Sequence, residues 1–477
     1  MTAGPAVGSQ RNQALLTNTG ALVTARYMVA ALGWLGTVVI VRHLSVAEFG
    51  RFSFVFALFG LLSVFTEMGL GRVAVKGLLD DAHDKARFAG TLVMLRSALA
   101  VLMYGAALAF VVLAGYPREV VLATAVAGVV VLLATPSHAI EAVFQVHLRM
   151  GTVAVSTVVG QLTQLALIAA IASAGGSVVL FALPAVAGEV VIFIWRIVTV
   201  RSLQRVRLTV DWQAWRRLLR EAAPLTAGVV LIAFATRIDA VLLSRLDTFT
   251  AVGIYGVANK FVDIAHYLPS ALMVPVLALL VPSWPDSPAA FARTVHRAFA
   301  ILAVVGVITA VQFGLFAAPV VGLLYGEAYT VGADATRILV IAECVAAFGA
   351  LAFTCLIAMG RCLLYPVVAL CGLVANIGLN LWLIPSRSFD GAAVARLATQ
   401  LLITSLLWCV LIRVPALRPL PLHPLKVAAL AGTAAAAAGV AAVTVLPWPV
   451  AATVVSVVYG AALRAARVHR SLSDRAP

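Results

Sequence analysis

The sequence predicts an all-α, polytopic membrane protein with about 14 transmembrane helices, arranged as two six-helix bundles and two C-terminal helices. Three observations carry this prediction. Of the 477 residues, 63% are hydrophobic and 11% are charged, whereas a soluble domain carries about 25% charged residues. The apolar residues form runs long enough to cross a bilayer. Motifs in the first half of the chain recur in the second half.

Fourteen apolar runs are candidates for transmembrane helices, which need about 20 residues each. They cover residues 17–41, 52–70, 89–114, 120–140, 152–173, 178–200, 224–246, 254–281, 298–318, 337–360, 363–384, 391–412, 426–446 and 448–466. Residues 1–14 are polar and lack the pattern of a cleavable signal peptide. No polar interval exceeds about thirty residues, so no soluble domain is expected.

Two motif pairs indicate that the halves are related. Arg42–Phe52 matches Arg245–Tyr255 at an offset of 203, which superposes an arginine, a glycine and an aromatic residue. Gly160–Gln164 matches Gly372–Asn376 at an offset of 212. Because six helices per unit is an even number, both units share one orientation, and their pseudo-twofold axis should run along the membrane normal. The last two runs have no counterpart in this repeat.

The runs and the repeat predict the domain boundaries. We expect an N-terminal six-helix lobe at 1–200, a cytoplasmic amphipathic linker helix at 201–223, a C-terminal six-helix lobe at 224–413, and helices 13 and 14 with a basic tail at 414–477. In the linker, Asp211 is placed to cap a helix that runs to Pro224, with Trp212 and Trp215 on its apolar face. This pattern favours an interfacial helix that joins the lobes, and a solvated linker is the alternative.

The charge of the connections predicts the orientation. With the N-terminus in the cytoplasm, 22 Lys and Arg residues fall in inside segments, and only five fall outside: Arg42, Arg51, Arg118, Arg245 and Arg387. Cytoplasmic connections of membrane proteins carry an excess of positive residues. We therefore expect a multi-pass protein of the bacterial cytoplasmic membrane with both termini inside.

The net charge of +15 agrees with basic cytoplasmic loops beside acidic lipids, and no nucleic-acid partner is expected. The five cysteines lie in apolar runs or directly beside one, without CxxC spacing, which is typical of packing residues rather than metal ligands or disulfides. No Walker A motif and no catalytic-triad or metal-ligand spacing occurs. We therefore expect a non-enzymatic protein without cofactor or metal.

Ionisable residues inside apolar runs are costly and usually face a partner or a wet cavity. Arg26 shares a helical face with Ala30, Gly33 and Thr37. Its planar guanidinium can project from that face into a cavity and bind an anionic headgroup. The alternatives are snorkelling to the interface and pairing with Glu67.

A second group of such residues spans two consecutive runs. Arg237 and Asp239 lie two residues apart and point in nearly opposite directions on a helix, so one is expected to face a cavity while the other pairs with a neighbouring helix. Lys260 and Asp263 are spaced to neutralise each other, and Asn259 accompanies them. Substrate contact and an internal salt bridge both remain open for this group.

Polar faces also occur on helices 11 and 12, with Asn376 and Asn380 on the first and Arg396 and Gln400 on the second. Such groups either hydrogen-bond helix to helix or recognise sugar hydroxyls. The candidate substrate-binding residues are Arg26, Arg237, Lys260, Asn259, Asn376, Asn380, Arg396 and Gln400. The candidates for ion coupling or a structural ion pair are Glu67, Asp239 and Asp263; Glu141, Glu189 and Glu343 are weaker candidates for proton coupling.

Four motifs at helix boundaries carry a family resemblance. They are RHLSVAEFGRFS at Arg42–Ser53, GIYGVANK at Gly253–Lys260, LLYGEAY at Leu323–Tyr329, and the Asn, Pro and Gly pattern of Asn376–Ala393. In this order, they resemble the polysaccharide-transporter branch of the multidrug/oligosaccharidyl-lipid/polysaccharide (MOP) flippase superfamily, which includes the O-antigen-type flippases.

The resemblance implies a MATE-like fold, with two six-helix bundles facing each other across a central cavity. It also implies the substrate, an undecaprenyl-diphosphate-linked oligosaccharide that moves from the inner to the outer leaflet by alternating access. Membrane lipid, a polysaccharide polymerase and glycosyltransferases are the partners to expect. The alternatives are an exporter of drugs or small amphiphiles with the same fold and a non-transporting scaffold of a polysaccharide synthase.

Overall fold

The structure is a computed structural model that describes residues 5–67, 70–80, 84–361, 364–418 and 422–466, with side chains from residue 24 onward except at 72, 223–227, 229 and 268. All regular structure in these residues is helical, which confirms the predicted all-α class. The chain divides into two compact units, Met1–Ala233 and Phe234–Pro477. Cys362 and the end of the predicted basic tail lie outside the described residues.

Unit 1 contains seven helices and the first part of an eighth. They are α1 (Pro5–His43), α2 (Val46–Glu67), α3 (Leu70–Leu79), α4 (Lys85–Leu113), α5 (Arg118–Val146), α6 (Met150–Ser173), α7 (Leu183–Val200) and α8 (Trp212–Leu246). The short helix α3 was not predicted; its buried leucines join a core formed with α4, α5 and the start of α8.

Unit 2 contains the rest of α8 and six further helices. They are α9 (Phe249–Leu280), α10 (Pro288–Tyr325), α11 (Ala333–Ala358), α12 (Leu364–Leu411), α13 (Leu422–Val443) and α14 (Trp448–Ala465), with a 3-10 helix at Glu327–Gly332 before α11. The last two helices pack together beside α10, around Phe316, Ala435 and Tyr459.

Twelve helical segments of the described residues are long and apolar enough to cross a membrane. The fourteen predicted runs differ in two places. The runs 363–384 and 391–412 both lie in α12, whose helical backbone is broken between them at Ser388, with φ 53° and ψ −135°. Helix α8 is not among the twelve, and it carries Arg237 and Asp239 within its apolar stretch.

The internal repeat has a structural counterpart in how helices pack. A Cβ added to Gly160 would lie 2.7 Å from the carbonyl oxygen of Gly188 on α7. A Cβ added to Gly372 would lie 2.5 Å from Ile403, beyond the break in α12. In each unit, therefore, the repeated glycine lets the fifth predicted span pack closely against the sixth.

The segment predicted as a linker helix does form a helix, but that helix is longer than predicted. Asp211 caps the helix as expected, because its side chain accepts hydrogen bonds from the backbone of Gln213 and Ala214. The helix does not end at Pro224 but continues as α8. Trp215 is buried and donates from Nε1 to the carbonyl oxygen of Thr91 at 3.2 Å, so this part of the apolar face packs on α4, while Trp212 is exposed.

The non-helical residues 201–211 form a strap across the start of α4. Arg207 donates its backbone N–H to Ala86, and Gln204 donates to the carbonyl oxygen of Lys85 at 2.7 Å. Arg87 on α4 also pairs with Asp211 at 3.3 Å. The strap crosses α4 at Gly90, where an added Cβ would lie 1.7 Å from the backbone oxygen of Arg207.

Replacing Gly90 should therefore displace the strap. We expect Gly90→Ala to lower the free energy of unfolding by about 1–3 kcal/mol, because the clash is with backbone that a side-chain rotation cannot relieve. Gly105→Ala is the matched control, since Gly105 lies in the same helix with nothing within 4 Å of its added Cβ. Unfolding of both variants in detergent measures the difference; equal stabilities would contradict the strap geometry.

Candidate functional site

The two arginines proposed to bind an anionic headgroup are both exposed. Arg26 lies in α1 of unit 1, and Arg237 lies in α8 of unit 2. Neither makes a hydrogen bond or an ion pair with the residues that the structure describes. The small-residue stripe beside Arg26 serves packing at one position, since a Cβ on Gly33 would lie 3.6 Å from Gln161 of α6. Their substrate role stays a prediction.

Asp239 is the centre of a buried polar network in unit 2. Its side chain is 1% exposed and accepts hydrogen bonds from the Tyr255 hydroxyl at 2.8 Å and from Asn380 Nδ2 at 3.0 Å. Arg396 Nη1 lies 3.4 Å from Oδ2 of the same carboxylate and also donates to the backbone oxygen of Thr236. A buried charge needs such partners, because its desolvation otherwise costs several kcal/mol.

This network joins α8, α9 and the two parts of α12. It contains three residues that were candidates on separate helices, Asp239, Asn380 and Arg396, and Asn376 accepts a hydrogen bond from Asn380 at 3.0 Å. All four are buried, as is Gln400. In this conformation they hold the helices together, so the structural alternative accounts for their contacts, and substrate binding by them stays a prediction.

The contrast between Arg237 and Asp239 follows from helix geometry. Asp239 points into the packed interior of unit 2, whereas Arg237, two residues earlier, is exposed. Two residues correspond to about 200° of rotation on an α-helix. The carboxylate that is nearest in sequence is therefore already used by Arg396 and does not neutralise Arg237.

The polar residues of α9 make contacts either within the helix or with a neighbouring helix. Lys260 Nζ lies 3.7 Å from Asp263 Oδ2 in a partly exposed pair, as their spacing predicts. Asn259 donates to the backbone oxygen of Tyr255 at 3.2 Å, one turn earlier. His266 Nδ1 lies 2.7 Å from Glu343 Oε1 on α11, so this histidine links two helices.

The His266–Glu343 pair borders a cavity of about 230 Å³ enclosed by α9, α10 and α11 of unit 2. Apolar side chains form most of its wall, including Leu272, Pro275 and Val305, and Glu343 supplies a carboxylate. A cavity of this character accommodates an apolar molecule that carries one positive or hydrogen-bonding group.

A second buried network lies in unit 1 around Arg196, whose side chain is 5% exposed. Its Nη1 donates to Ser137 at 3.1 Å and lies 3.4 Å from Glu141 on α5. Its Nε and Nη2 donate to Ser156 and Thr157 on α6 at 3.3 and 3.2 Å. One guanidinium on α7 thereby ties three helices together.

Arg96 on α4 is also buried, with 4% of its surface exposed. Its Nε has no hydrogen-bond partner in the part of the chain that the structure describes. Glu67 and Glu141 interact with it electrostatically, so Glu67, a candidate partner of Arg26, lies in the field of a different arginine.

Neither Arg96 nor Arg196 is among the candidate residues named from the sequence. Both lie inside apolar runs, at 89–114 and 178–200, and a charge at that depth is the same signal that singled out Arg26 and Arg237. Their partners, however, come from helices tens of residues away. Sequence spacing could reveal the arginines but not the network.

With this geometry established, comparison with known proteins identifies the family. The family model described as polysaccharide biosynthesis protein matches residues 15–283, more than half of the chain. The chain belongs to this family. No curated protein sequence matches the chain significantly.

Solved structures with a similar fold cover nearly the whole chain. The lipid II flippase MurJ in an inward closed conformation is similar, with a TM-score of 0.76 and 13% identity over 94% of this chain and 99% of that chain. A multidrug resistance MATE family transporter of the MOP superfamily, inward-facing, gives a TM-score of 0.70 and 14% identity over 82% of this chain and 96% of that chain. An outward-facing conformation of such a transporter gives 0.55 and 14% over 83% and 96%.

Identities this low establish the fold alone. Together with the family match, they confirm the predicted resemblance to the MOP superfamily and the predicted multi-pass, flippase-like or transporter-like fold. This polysaccharide biosynthesis protein is thus an all-helical membrane protein with the fold of lipid flippases and exporters.

Proposed function

We propose that this protein is a flippase that moves a polyprenyl-diphosphate-linked oligosaccharide from the inner to the outer leaflet of the bacterial cytoplasmic membrane by alternating access, with both termini in the cytoplasm. The family match and the flippase-like fold support a role in the export of a polysaccharide precursor. The partner enzymes expected for such a role are a polysaccharide polymerase and glycosyltransferases.

The observation that carries the proposal is the uncompensated guanidinium of Arg237. It lies in the apolar stretch of α8, is exposed, and makes no ion pair with a described residue. An arginine exposed to lipid at membrane depth is costly, so its place is a wet cavity that receives an anion. A diphosphate matches it, because phosphate oxygens accept paired hydrogen bonds from the guanidinium fork.

Arg26 in unit 1 has the same properties, and we assign it the same role. Lys260, which is only partly exposed and paired with Asp263, is an auxiliary cation at most in this conformation. Charge of this sign favours an anionic substrate over the cations that a drug exporter would carry.

Substitution of these arginines tests the function. We expect Arg237→Ala and Arg26→Ala each to lower the flipping rate of extracted lipid-linked oligosaccharide in proteoliposomes by at least tenfold, because a charge-assisted hydrogen bond contributes about 1.5–3 kcal/mol. Membrane abundance should not change, since both side chains are exposed.

Arg293→Ala provides a matched control, because Arg293 is an exposed arginine of α10 that has no assigned role. Wild-type flipping by both alanine variants would contradict the headgroup role of these arginines, and absence of flipping by the wild-type protein would contradict the function itself.

One observation favours a second function, export of a small cationic amphiphile. The 230 Å³ cavity of unit 2 is mostly apolar and contains the Glu343 carboxylate. An exporter of this kind would make a deletion strain sensitive to lipophilic cations while leaving its surface polysaccharide intact. If the protein is a flippase, the deletion strain should lose its surface polysaccharide and should not become sensitive to lipophilic cations.

A further inference from the structure

A second cavity of unit 2, of about 470 Å³, lies where the start of α11 meets the break in α12. It is more open than the apolar cavity, and four of its six lining residues are charged. The first turn of α11 and the residues on both sides of the break line it: Asp334, Arg337, Ile338, Arg387, Asp390 and Val394. None of these residues belongs to the buried network around Asp239.

The break in α12 creates this wall. Ser388 has a positive φ of 53°, and a residue in that conformation ends the regular helix. Its hydroxyl donates to the Asp247 carboxylate, which also accepts from the backbone N–H of Thr248. Arg387 and Asp390 therefore line the cavity from either side of a break that is held in place by hydrogen bonds.

The cavity contains charged groups whose hydrogen-bonding capacity is not used. Arg337 pairs with Asp334 at 2.5 Å, yet its Nε is buried without a partner. Asp390 Oδ1 is likewise buried without a partner, and Arg387 makes no ion pair with any residue in the described ranges. Buried polar atoms are nearly always satisfied, so Arg337 and Asp390 have hydrogen-bonding capacity that neither uses within the described chain.

The balance of charge indicates what can fill it. Two carboxylates and two guanidinium groups make the cavity formally neutral, so neither a diphosphate nor a free cation is favoured there. A carboxylate accepts and a guanidinium donates hydrogen bonds, which together suit a molecule rich in hydroxyl groups. Ile338 and Val394 offer apolar surface for the C–H face of a ring. These are the features of a saccharide site, and the volume is in the range of ligand pockets.

We propose that this cavity binds one or two sugar residues of the transported glycan, an inference that rests on the proposed flippase function. The loop charge predicts that this end of unit 2 faces the outside. The diphosphate and the glycan are then recognised in different places, the first by exposed arginines such as Arg237 and the second by the cavity at the α12 break. The sugar contacts form as the headgroup reaches the outer side.

Two substrates separate glycan recognition from headgroup recognition. Proteoliposomes would be tested with lipid-linked oligosaccharide extracted from the source strain and with undecaprenyl diphosphate, which has no sugar. For Asp390→Asn and Arg337→Gln, we expect the KM for the oligosaccharide lipid to rise about tenfold, because each loses one hydrogen bond to a charged group. The KM for undecaprenyl diphosphate should not change. Equal effects on both substrates, or on neither, would overturn the proposal.

A binding measurement does not depend on flipping. Saturation-transfer NMR would use the purified full-length protein and the oligosaccharide released from its lipid by mild acid. We expect transfer to the sugar protons with the wild type and with Asp286→Asn, an exposed control on the loop before α10, and its loss in both cavity variants. Undiminished transfer in these variants overturns the sugar site. If the sugar binds but the wild type flips neither lipid, the flippase function fails and the site stands.

Discussion

The variant Arg396→Met should lose about 3–5 kcal/mol of its free energy of unfolding, because it leaves Asp239 buried without its cationic partner. The Asp239 side chain is 1% exposed, and its remaining partners, Tyr255 and Asn380, are uncharged. Two neutral hydrogen bonds do not replace the interaction with a guanidinium in a low-dielectric interior.

Denaturant unfolding in detergent, with intrinsic tryptophan fluorescence as the probe, measures this loss. The double variant Asp239→Asn/Arg396→Met should recover much of it, since removing both charges of a buried pair is often nearly neutral. Asp263→Asn, which removes the carboxylate of the partly exposed Lys260–Asp263 pair, is the control and should change stability by less than about 1 kcal/mol. A loss of similar size in the control and in Arg396→Met would contradict a special role for the buried network.

The second large effect is expected from the membrane potential. If the substrate carries two negative charges, its outward movement from a negative interior gains about 2.3 kcal/mol per charge per 100 mV, or about 4.6 kcal/mol in all. The exposed cations Arg26 and Arg237 would be drawn inward when the empty protein returns. Because these cations neutralise the bound diphosphate, the potential acts mainly on the return of the empty protein, and the complete cycle moves two charges without an obligatory proton site.

This prediction is tested in proteoliposomes that hold a potassium diffusion potential set with valinomycin, at equal pH on both sides. The leaflet distribution of a fluorescent lipid-linked oligosaccharide should shift about tenfold for each 30 mV. A pH gradient at zero potential serves as the control and should leave the distribution unchanged. A leaflet distribution that changes with the pH gradient but not with the potential would contradict flipping driven by the membrane potential.

Much of the fold follows from the sequence because its signals are local. Apolar runs near bilayer length predict most of the helices. The repeated glycines Gly160 and Gly372 each lie where one span packs closely against the next. The spacing of Lys260 and Asp263 specifies their pair, and the opposite directions of Arg237 and Asp239 follow from helical rotation. Each of these features depends on residues close together in the chain or on a simple repeat.

The features that the sequence did not reveal depend on distant contacts. The hydrogen-bond partners of Arg196 come from α5 and α6, 39 to 59 residues away in the chain. Trp215 packs on α4 at Thr91, and the strap crosses the same helix at Gly90; the hydrophobic pattern specifies neither contact. The cavity beside the break at Ser388 brings together charged residues of α11 and α12 that are dozens of residues apart in the chain.

The two guanidinium-centred networks occupy different ends of equivalent helices. Arg196 lies four residues before the C-terminal end of α7, the sixth predicted span of unit 1, while Arg396 lies near the beginning of the corresponding span in unit 2, soon after the break. Ionic contacts therefore fix one end of the sixth predicted span in each unit, and the fixed end differs between the two units. We expect the end of each span that lacks these contacts to separate more easily from its neighbouring helices, so the more mobile end differs between the two units.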